Sequence, residues 1–267
     1  MKKLSVLTIA LAALLFAACG GNKSAQTGDN ADSTKSFEQE QIEAAIKMHF
    51  DSIAAEMSTM QKLPFLQEGE DGVQLTKEEK QVKPDYLISA DAADEATTLA
   101  EKYRILSALN VDKKIAAMYE MPTEDYDKAV TKVIADINDP SFKAIDDANT
   151  LYETSQTLYD AMNENGRINY FWQMAAAALV EEIYAVNKNS EKFLANFTDD
   201  NAANITYRIV LILDAVQNLS KYDKDIMPVA AAIAPLNVLN AVTVDELKEQ
   251  LASGTTRIDN ARKALIK

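Results

Sequence analysis

Residues 167–188 of this 267-residue chain form a segment that is apolar on nearly every side of a helix. Between Tyr170 and Val180, Gln173 is the one polar residue, and the run 175–178 consists of four alanines that let neighbouring backbones come close. A helix without a polar face must be covered by protein on all sides. The segment therefore predicts a central helix that is buried by the others.

The rest of the chain can supply this cover, because almost every segment after residue 35 repeats its apolar residues at helical spacing. Two capping boxes mark helix starts, Ser36 with Gln39 and Thr243 with Glu246. No segment alternates apolar and polar residues between hairpin turns. The sequence predicts an all-α fold, an irregular antiparallel bundle of about seven or eight helices without a sheet.

Single residues predict some of the boundaries within this bundle. Pro64 is expected to end the first helix, because proline cannot continue one, and Gln67 to Asp85 is expected to be a polar loop. The apolar face shifts after Asn110, which predicts a break or a change of packing partner there. Residues 226–242 are uncharged and interrupted by two prolines. This pattern favours core built from short helices, with an exposed partner-binding surface as the alternative.

The charge balance restricts the partners of the chain. It carries 27 basic and 41 acidic side chains, a net charge of −14. Such a surface argues against binding of nucleic acid, whose phosphates need Lys and Arg, and against a body that lies on anionic lipid. The seven glycines are too few and too scattered for a phosphate-binding loop or a dinucleotide fingerprint. We therefore expect no cofactor.

The first 19 residues differ from the helical body. Lys2 and Lys3 precede an apolar stretch, residues 4–18, that is shorter than the about 20 residues a membrane-spanning helix needs. Phe16-Ala17-Ala18-Cys19 then stands where an export signal is cleaved. The segment resembles a bacterial lipoprotein signal with its lipobox. This resemblance implies removal of residues 1–18, a diacylglyceryl thioether on the Cys19 sulfur, and an acyl chain such as palmitate on its amine.

Cys19 is the only cysteine, so it has no disulfide partner within the chain. The alternative is an ordinary secretory signal that ends near a chance cysteine. Residues 20–35 are rich in Gly, Ser, Asn and Asp, and such a flexible tether reaches roughly 20–24 Å. The predicted organisation is thus a signal (1–18), a lipidated cysteine with its tether (19–35) and one helical domain (36–267).

The tether contains a candidate modification site. Asp32-Ser33-Thr34 resembles an O-glycosylation motif of some anaerobic Gram-negative bacteria, and a flexible tether would expose Ser33 to a transferase. Ordinary linker composition is the alternative, because these residue types are common in flexible segments.

Residues for common catalytic chemistry are scarce. His49 is the only histidine, so a zinc site of Cys and His ligands is excluded by count, and no metal site is predicted. His49 borders the apolar face of its helix, where we expect a packed or half-exposed side chain. Glu181 and Glu182 are neighbours, but successive helical residues point about 100° apart and do not share a site. A carboxylate-dependent hydrolase stays an alternative, because sequence alone cannot locate its two acids.

Two charges fall on helix faces that otherwise point to the core. Glu182 lies in the middle of the apolar stripe of the central helix, and Arg208 lies between isoleucines of the next long helix. If these helices form an antiparallel hairpin centred near Ala195, the two residues lie opposite each other. We therefore predict a partly buried Glu182–Arg208 ion pair. Such a pair either sets the register of the hairpin or lines a ligand pocket.

Taken together, these features predict a lipid-anchored bacterial lipoprotein of the outer membrane that faces either the periplasm or the cell surface. Its membrane contact would be the anchor at Cys19, and its body would act by binding or scaffolding, with an envelope protein as the candidate partner. Besides the hydrolase, a solute- or glycan-binding lipoprotein with a pocket of tyrosines and Trp172 stays an alternative. Trp172 shares an apolar stripe with Phe171, however, so we expect it in the core. The sequence leaves the oligomeric state open.

Overall fold

The computed structural model describes residues 37–60, 63–64, 72–144 and 155–266. The predicted signal, Cys19, the tether with Ser33, and the predicted helix cap Ser36 lie outside the described residues. The helical bundle lies within the compact unit that residues 43–267 form.

Helices make up nearly all of the regular structure. Within the described ranges there are eleven α-helices, eight of them seven residues or longer, and no strand, which confirms the all-α prediction. None of these helices is both long enough and apolar enough to cross a membrane. The helices are α1 (Phe37–Ser58), α2 (Lys77–Gln81), α3 (Ala92–Glu95), α4 (Leu99–Met118), α5 (Glu124–Ile137), α6 (Ser155–Glu164), α7 (Ile168–Lys188), α8 (Ser190–Phe193), α9 (Asp199–Leu219), α10 (Met227–Ile233) and α11 (Val244–Leu265).

Helix α7 is the central element, as its sequence predicts. It packs against α4, α6, α9 and α11, and 14 of its 21 residues are buried. Ala176, Ala177 and Ala178 have almost no exposed surface, so their small side chains allow close approach. The one polar residue of the apolar run, Gln173, accepts at its Oε1 from the Arg104 Nη1 over 2.7 Å, while its Nε2 is buried without a hydrogen-bond partner. The hydrogen bond to a charged group therefore compensates only part of the cost of burying this amide.

Trp172 is fully buried, which confirms its expected place in the core. Its ring centroid lies 5.2 Å from that of Phe171 and 6.2 Å from those of Phe50 and Tyr159. The rings are tilted or edge-on to one another, as aromatic pairs prefer. These aromatic side chains fill the space around the indole rather than line a pocket.

Four helices begin with a complete capping box, at Thr76, Thr98, Thr198 and Thr243. The predicted box at Thr243 is confirmed, because its Oγ1 accepts from the Glu246 backbone N over 3.3 Å. In return, the Glu246 carboxylate accepts from the backbone N of Thr243 over 3.3 Å. These contacts satisfy amide groups that have no partner within the helix.

We expect Thr243→Ala to lower the free energy of unfolding by about 0.5–2 kcal/mol, since the first turn of α11 loses its side-chain acceptor. Urea titration of the variant and the parent protein would measure this change. Ser253→Ala in the same helix is the matched control, because it removes an exposed hydroxyl that caps nothing. An equal effect of both substitutions would contradict the capping explanation.

Two predicted boundaries are wrong. Helix α1 ends at Ser58 rather than at Pro64. At its end, the Ser58 and Thr59 hydroxyls donate to the carbonyls of Ala55 and Glu56, each over 2.7 Å, and such bonds compete with further helical hydrogen bonds. The predicted loop 67–85 also contains helix α2, whose capping box at Thr76 is not followed by apolar residues.

Of the two alternatives predicted at Asn110, the break is absent, because α4 continues through this residue. All residues from 105 to 112 are buried, so the shift of the apolar face reflects a helix that is covered on all sides. The Asn110 amide is satisfied within the helix, where its Nδ2 donates to the Leu106 carbonyl over 2.8 Å.

The uncharged segment 226–242 forms α10 between short 3₁₀ turns. Its apolar residues divide between two environments, so the core interpretation holds for part of the segment. Six are buried: Ile226, Val229, Ile233, Leu236, Leu239 and Ala241. Met227, Val238 and Val242 instead keep 52%, 47% and 60% of their surface exposed.

Candidate functional site

Three charged side chains from distant parts of the chain meet inside the bundle. Asp112 comes from α4, Glu181 from α7 and Arg262 from α11. Both acids are fully buried, and the Arg262 side chain keeps only 17% of its surface exposed. We call these three residues the acid–arginine cluster. Charges without contact to water are costly unless they are paired and hydrogen-bonded.

Glu181 and Arg262 form a bidentate ion pair. The Arg262 Nε lies 2.8 Å from the Glu181 Oε2, and the Arg262 Nη2 lies 2.8 Å from the Glu181 Oε1. The guanidinium carbon also lies 4.1 Å from the centroid of the Tyr184 ring, over its face. Arginine suits this place because its planar fork matches a carboxylate and can stack on an aromatic ring.

Asp112 completes the cluster as the acid that is not matched by a close cation. Its Oδ2 accepts from the backbone N of Ile88 over 2.7 Å, whereas the Arg262 Nη2 lies 3.9 Å from the same oxygen. The other oxygen of this carboxyl, Oδ1, is buried without a hydrogen-bond partner. A charged carboxylate would be costly in such a place, which favours the neutral, protonated acid.

The surroundings of Asp112 favour its protonated form. Burial raises the pKa of the Asp112 carboxyl well above its ordinary value, and the negative charge of Glu181 raises it further. Burial also raises the pKa of Glu181, but there the bidentate contact with the Arg262 guanidinium opposes the shift and favours the ionised form. The acid–arginine cluster is then a neutral carboxylic acid beside a closed ion pair, which leaves no net charge in the core.

The acid–arginine cluster binds an irregular stretch of the chain through hydrogen bonds. Residues 82–91, which we call the crossing segment, have no helix or strand of their own. Besides the Ile88 amide on Asp112, the Tyr126 hydroxyl donates to the Ile88 carbonyl over 2.7 Å. The Arg262 Nη2 donates to the Tyr86 carbonyl over 3.2 Å. Buried side chains thus satisfy backbone groups that secondary structure would otherwise pair.

Tyrosines complete the surroundings of the cluster. Burial raises the pKa of Tyr86 and of Tyr126, so both phenols stay neutral at physiological pH. The Tyr86 ring packs edge-on against Tyr184, with 6.3 Å between their centroids. Protein surrounds both acids of the cluster, and neither reaches the surface. The cluster can hold a proton and bind backbone groups.

The predicted pair Glu182 and Arg208 also meets. The Arg208 Nη1 lies 3.8 Å from the Glu182 Oε2, with 8% and 0% of the two side chains exposed. This distance is longer than a hydrogen bond, so the contact is an ion pair rather than a fork. The Arg208 Nε donates to the Asn204 Oδ1 over 2.8 Å. Burial of both charges between α7 and α9 favours the role of setting the register of these helices.

Neighbouring acids point to different partners, as expected for a helix. Glu181 binds Arg262 of α11, whereas Glu182 faces Arg208 of α9. Among the residues that the structure describes, no three His, Cys, Asp or Glu side chains lie close enough to hold a metal.

His49 is half-exposed and joins α1 to α9. Its Nε2 lies 2.7 Å from the Asp214 Oδ2, and 46% of each side chain is exposed. The Asn218 amide donates to the other carboxylate oxygen of Asp214 over 2.9 Å. An exposed pair of this kind contributes little to stability.

The surface of the bundle has a small open groove near the C-terminus. Ile105, Leu265 and Ile266 contribute apolar surface, while Glu95 and Glu101 contribute acidic groups. The Glu101 carboxylate already accepts from the backbone of Thr97 and Thr98. The Glu101 carboxylate therefore binds the start of α4 and is not available to a ligand.

Sequence reasoning found Glu182 and Arg208 but missed the acid–arginine cluster. The same signal was present, since Asp112 lies between Leu109 and Ile115 on the apolar stripe of α4. Arg262 likewise lies one turn after Ile258 on α11. A search for charges on apolar faces in every helix would have found all the members.

Comparison with protein families, characterised proteins and solved structures finds no match for this chain.

Proposed function

We propose that this chain is a lipoprotein of the bacterial outer membrane, anchored through Cys19, whose helical body acts by binding or scaffolding. The observation that carries the proposal is the order of basic, apolar and Ala-Ala-Cys residues at positions 2–19. Two or more acyl chains at one cysteine make a lasting anchor. The acidic surface of the chain then keeps the body itself off anionic lipid.

The filled interior supports binding or scaffolding over hydrolysis. A hydrolase of the carboxylate type needs two acids about 5–10 Å apart on either side of a substrate. Asp112 and Glu181 are instead fully buried, with no open space for a substrate at either side chain. Asp112 binds the crossing segment and Glu181 binds Arg262, so both acids have a structural role.

The exposed apolar residues of segment 226–242 support a surface that meets another protein. Met227, Val238 and Val242 are exposed within a stretch that carries only two charges between residues 224 and 242. Contiguous apolar surface in a soluble domain commonly marks an interaction site. An envelope protein is the partner class that the proposed location supplies.

The test is site-specific crosslinking in native membranes. A photo-reactive amino acid at Val238 of the full-length chain should give one discrete, saturable adduct in the outer-membrane fraction. The same group at Lys128, which is exposed on α5 and lies among charges, is the matched control and should give none. Adducts of equal yield and pattern at both positions, or none at Val238, would contradict a binding surface at this segment.

A further inference from the structure

The net charge of the acid–arginine cluster depends on a single proton. Two carboxyl groups and one guanidinium lie together, and both carboxyl groups are fully buried. With a proton on Asp112 the charges balance, and without it a second negative charge would be buried. Burying an uncompensated charge is among the largest penalties a core can meet.

The crossing segment depends directly on this cluster. The Ile88 amide binds Asp112, and the Tyr86 carbonyl binds Arg262. Of the residues in the segment, only Ile88 is buried, while Val82 keeps 75% of its surface exposed. The segment has one buried residue and no ladder of backbone hydrogen bonds, and such regions are the ones that open locally.

We propose that the crossing segment is held by a proton-dependent latch, in which Asp112 carries the proton while the segment is docked and releases it when the segment opens. The remaining charged and titratable groups that surround Asp112 come from four elements. They are Glu181 and Tyr184 of α7, Arg262 of α11, Tyr126 of α5, and Tyr86 of the segment itself.

The direction of the pH effect follows from the linkage of opening to proton release. The docked state keeps the proton, because burial raises the pKa of Asp112, whereas a solvated Asp loses it above about pH 4. Between these two pKa values, opening releases one proton. Docking is thus strongest at low pH and weakens as the pH rises, and the opening constant increases by about tenfold per pH unit.

Amide hydrogen exchange of the full-length lipidated protein in detergent micelles tests the latch. We expect the exchange rate of the Ile88 amide, corrected for the intrinsic rate at each pH, to rise by about tenfold per pH unit from about pH 5 upward. Buried amides of α7 should rise less, because the segment opens without the bundle. A flat profile at Ile88 would overturn the proposal, and so would an equal rise in α7.

Three variants separate the proton from the other contacts of the segment. Asp112→Asn keeps the acceptor for Ile88 and is neutral at every pH, so its corrected exchange should not depend on pH. Tyr126→Phe removes one bond to the Ile88 carbonyl, so exchange should be faster at every pH with an unchanged slope. Asp214→Asn, an exposed Asp on α9, should change neither.

Each result from these variants either supports or overturns the proposed latch. A pH slope that persists in Asp112→Asn would assign the proton to another group and overturn the latch. If Asp112→Asn fails to fold, as far-ultraviolet circular dichroism would reveal, the slopes of Tyr126→Phe and of the parent protein decide. Loss of the slope in Tyr126→Phe would mean that the phenol carries the effect.

Discussion

Replacing Cys19 by Ser should remove the protein from the detergent phase and from the outer-membrane fraction. The thioether that the lipobox resemblance implies cannot form on a hydroxyl, so the acyl chains are lost together. Each buried CH₂ group contributes about 0.8 kcal/mol to membrane binding, so an anchor of two or more chains is effectively permanent and its loss complete. Cell fractionation, phase partition and intact mass spectrometry of the mature chain would measure the change.

The design must separate the anchor from the signal, because an unprocessed signal can itself hold a chain at a membrane. A second variant therefore carries an ordinary export signal that is cleaved before Gly20. Ser24→Ala, in the tether, is the matched control and should stay anchored. A parent protein with an unmodified Cys19 sulfur, or full membrane retention of the second variant, would contradict the proposed anchor.

Local signals predicted most of the fold. Helix α11 begins at the capping box of Thr243 and Glu246 that the sequence shows, and α7 is buried as its apolar surface requires. These features depend on residues within a few turns of one another, so neighbouring sequence contains the necessary information. The errors arose where local signals conflict or are weak. The box at Thr76 precedes only charged and polar residues, and the helix it starts is short.

The candidate site depends on contacts that no local pattern reports. Glu181 and Arg262 are 81 positions apart, and Ile88 and Asp112 are 24 apart. Glu182 and Arg208 could be paired from the sequence because only the short connection that contains α8 joins their helices, and a short connection defines the register. Arg262 has no such connection to α7, and its partner follows only from the packing of α7 on α11.

Replacing Arg262 by Met should lower the free energy of unfolding by about 3–5 kcal/mol, because it leaves the buried carboxylate of Glu181 without its cation. Met is a flexible apolar side chain that fills the space of the arginine stem, although the stacking of the guanidinium on Tyr184 is lost. The lost bond to the Tyr86 carbonyl adds to the effect through the crossing segment. Urea unfolding followed by circular dichroism would measure the change. Lys263→Met, at the exposed neighbouring position, should change stability by less than about 0.5 kcal/mol.

The double variant Arg262→Met with Glu181→Gln distinguishes a charge penalty from a packing defect. If the loss comes from an uncompensated carboxylate, removing that charge should restore much of the stability, since a buried ion pair adds little over a neutral pair of similar shape. Asp112 then no longer faces a negative neighbour, which relieves the second cause of its raised pKa. A double variant as unstable as Arg262→Met alone would show that the guanidinium stabilises the bundle by packing on Tyr184 and binding the crossing segment, not by balancing charge.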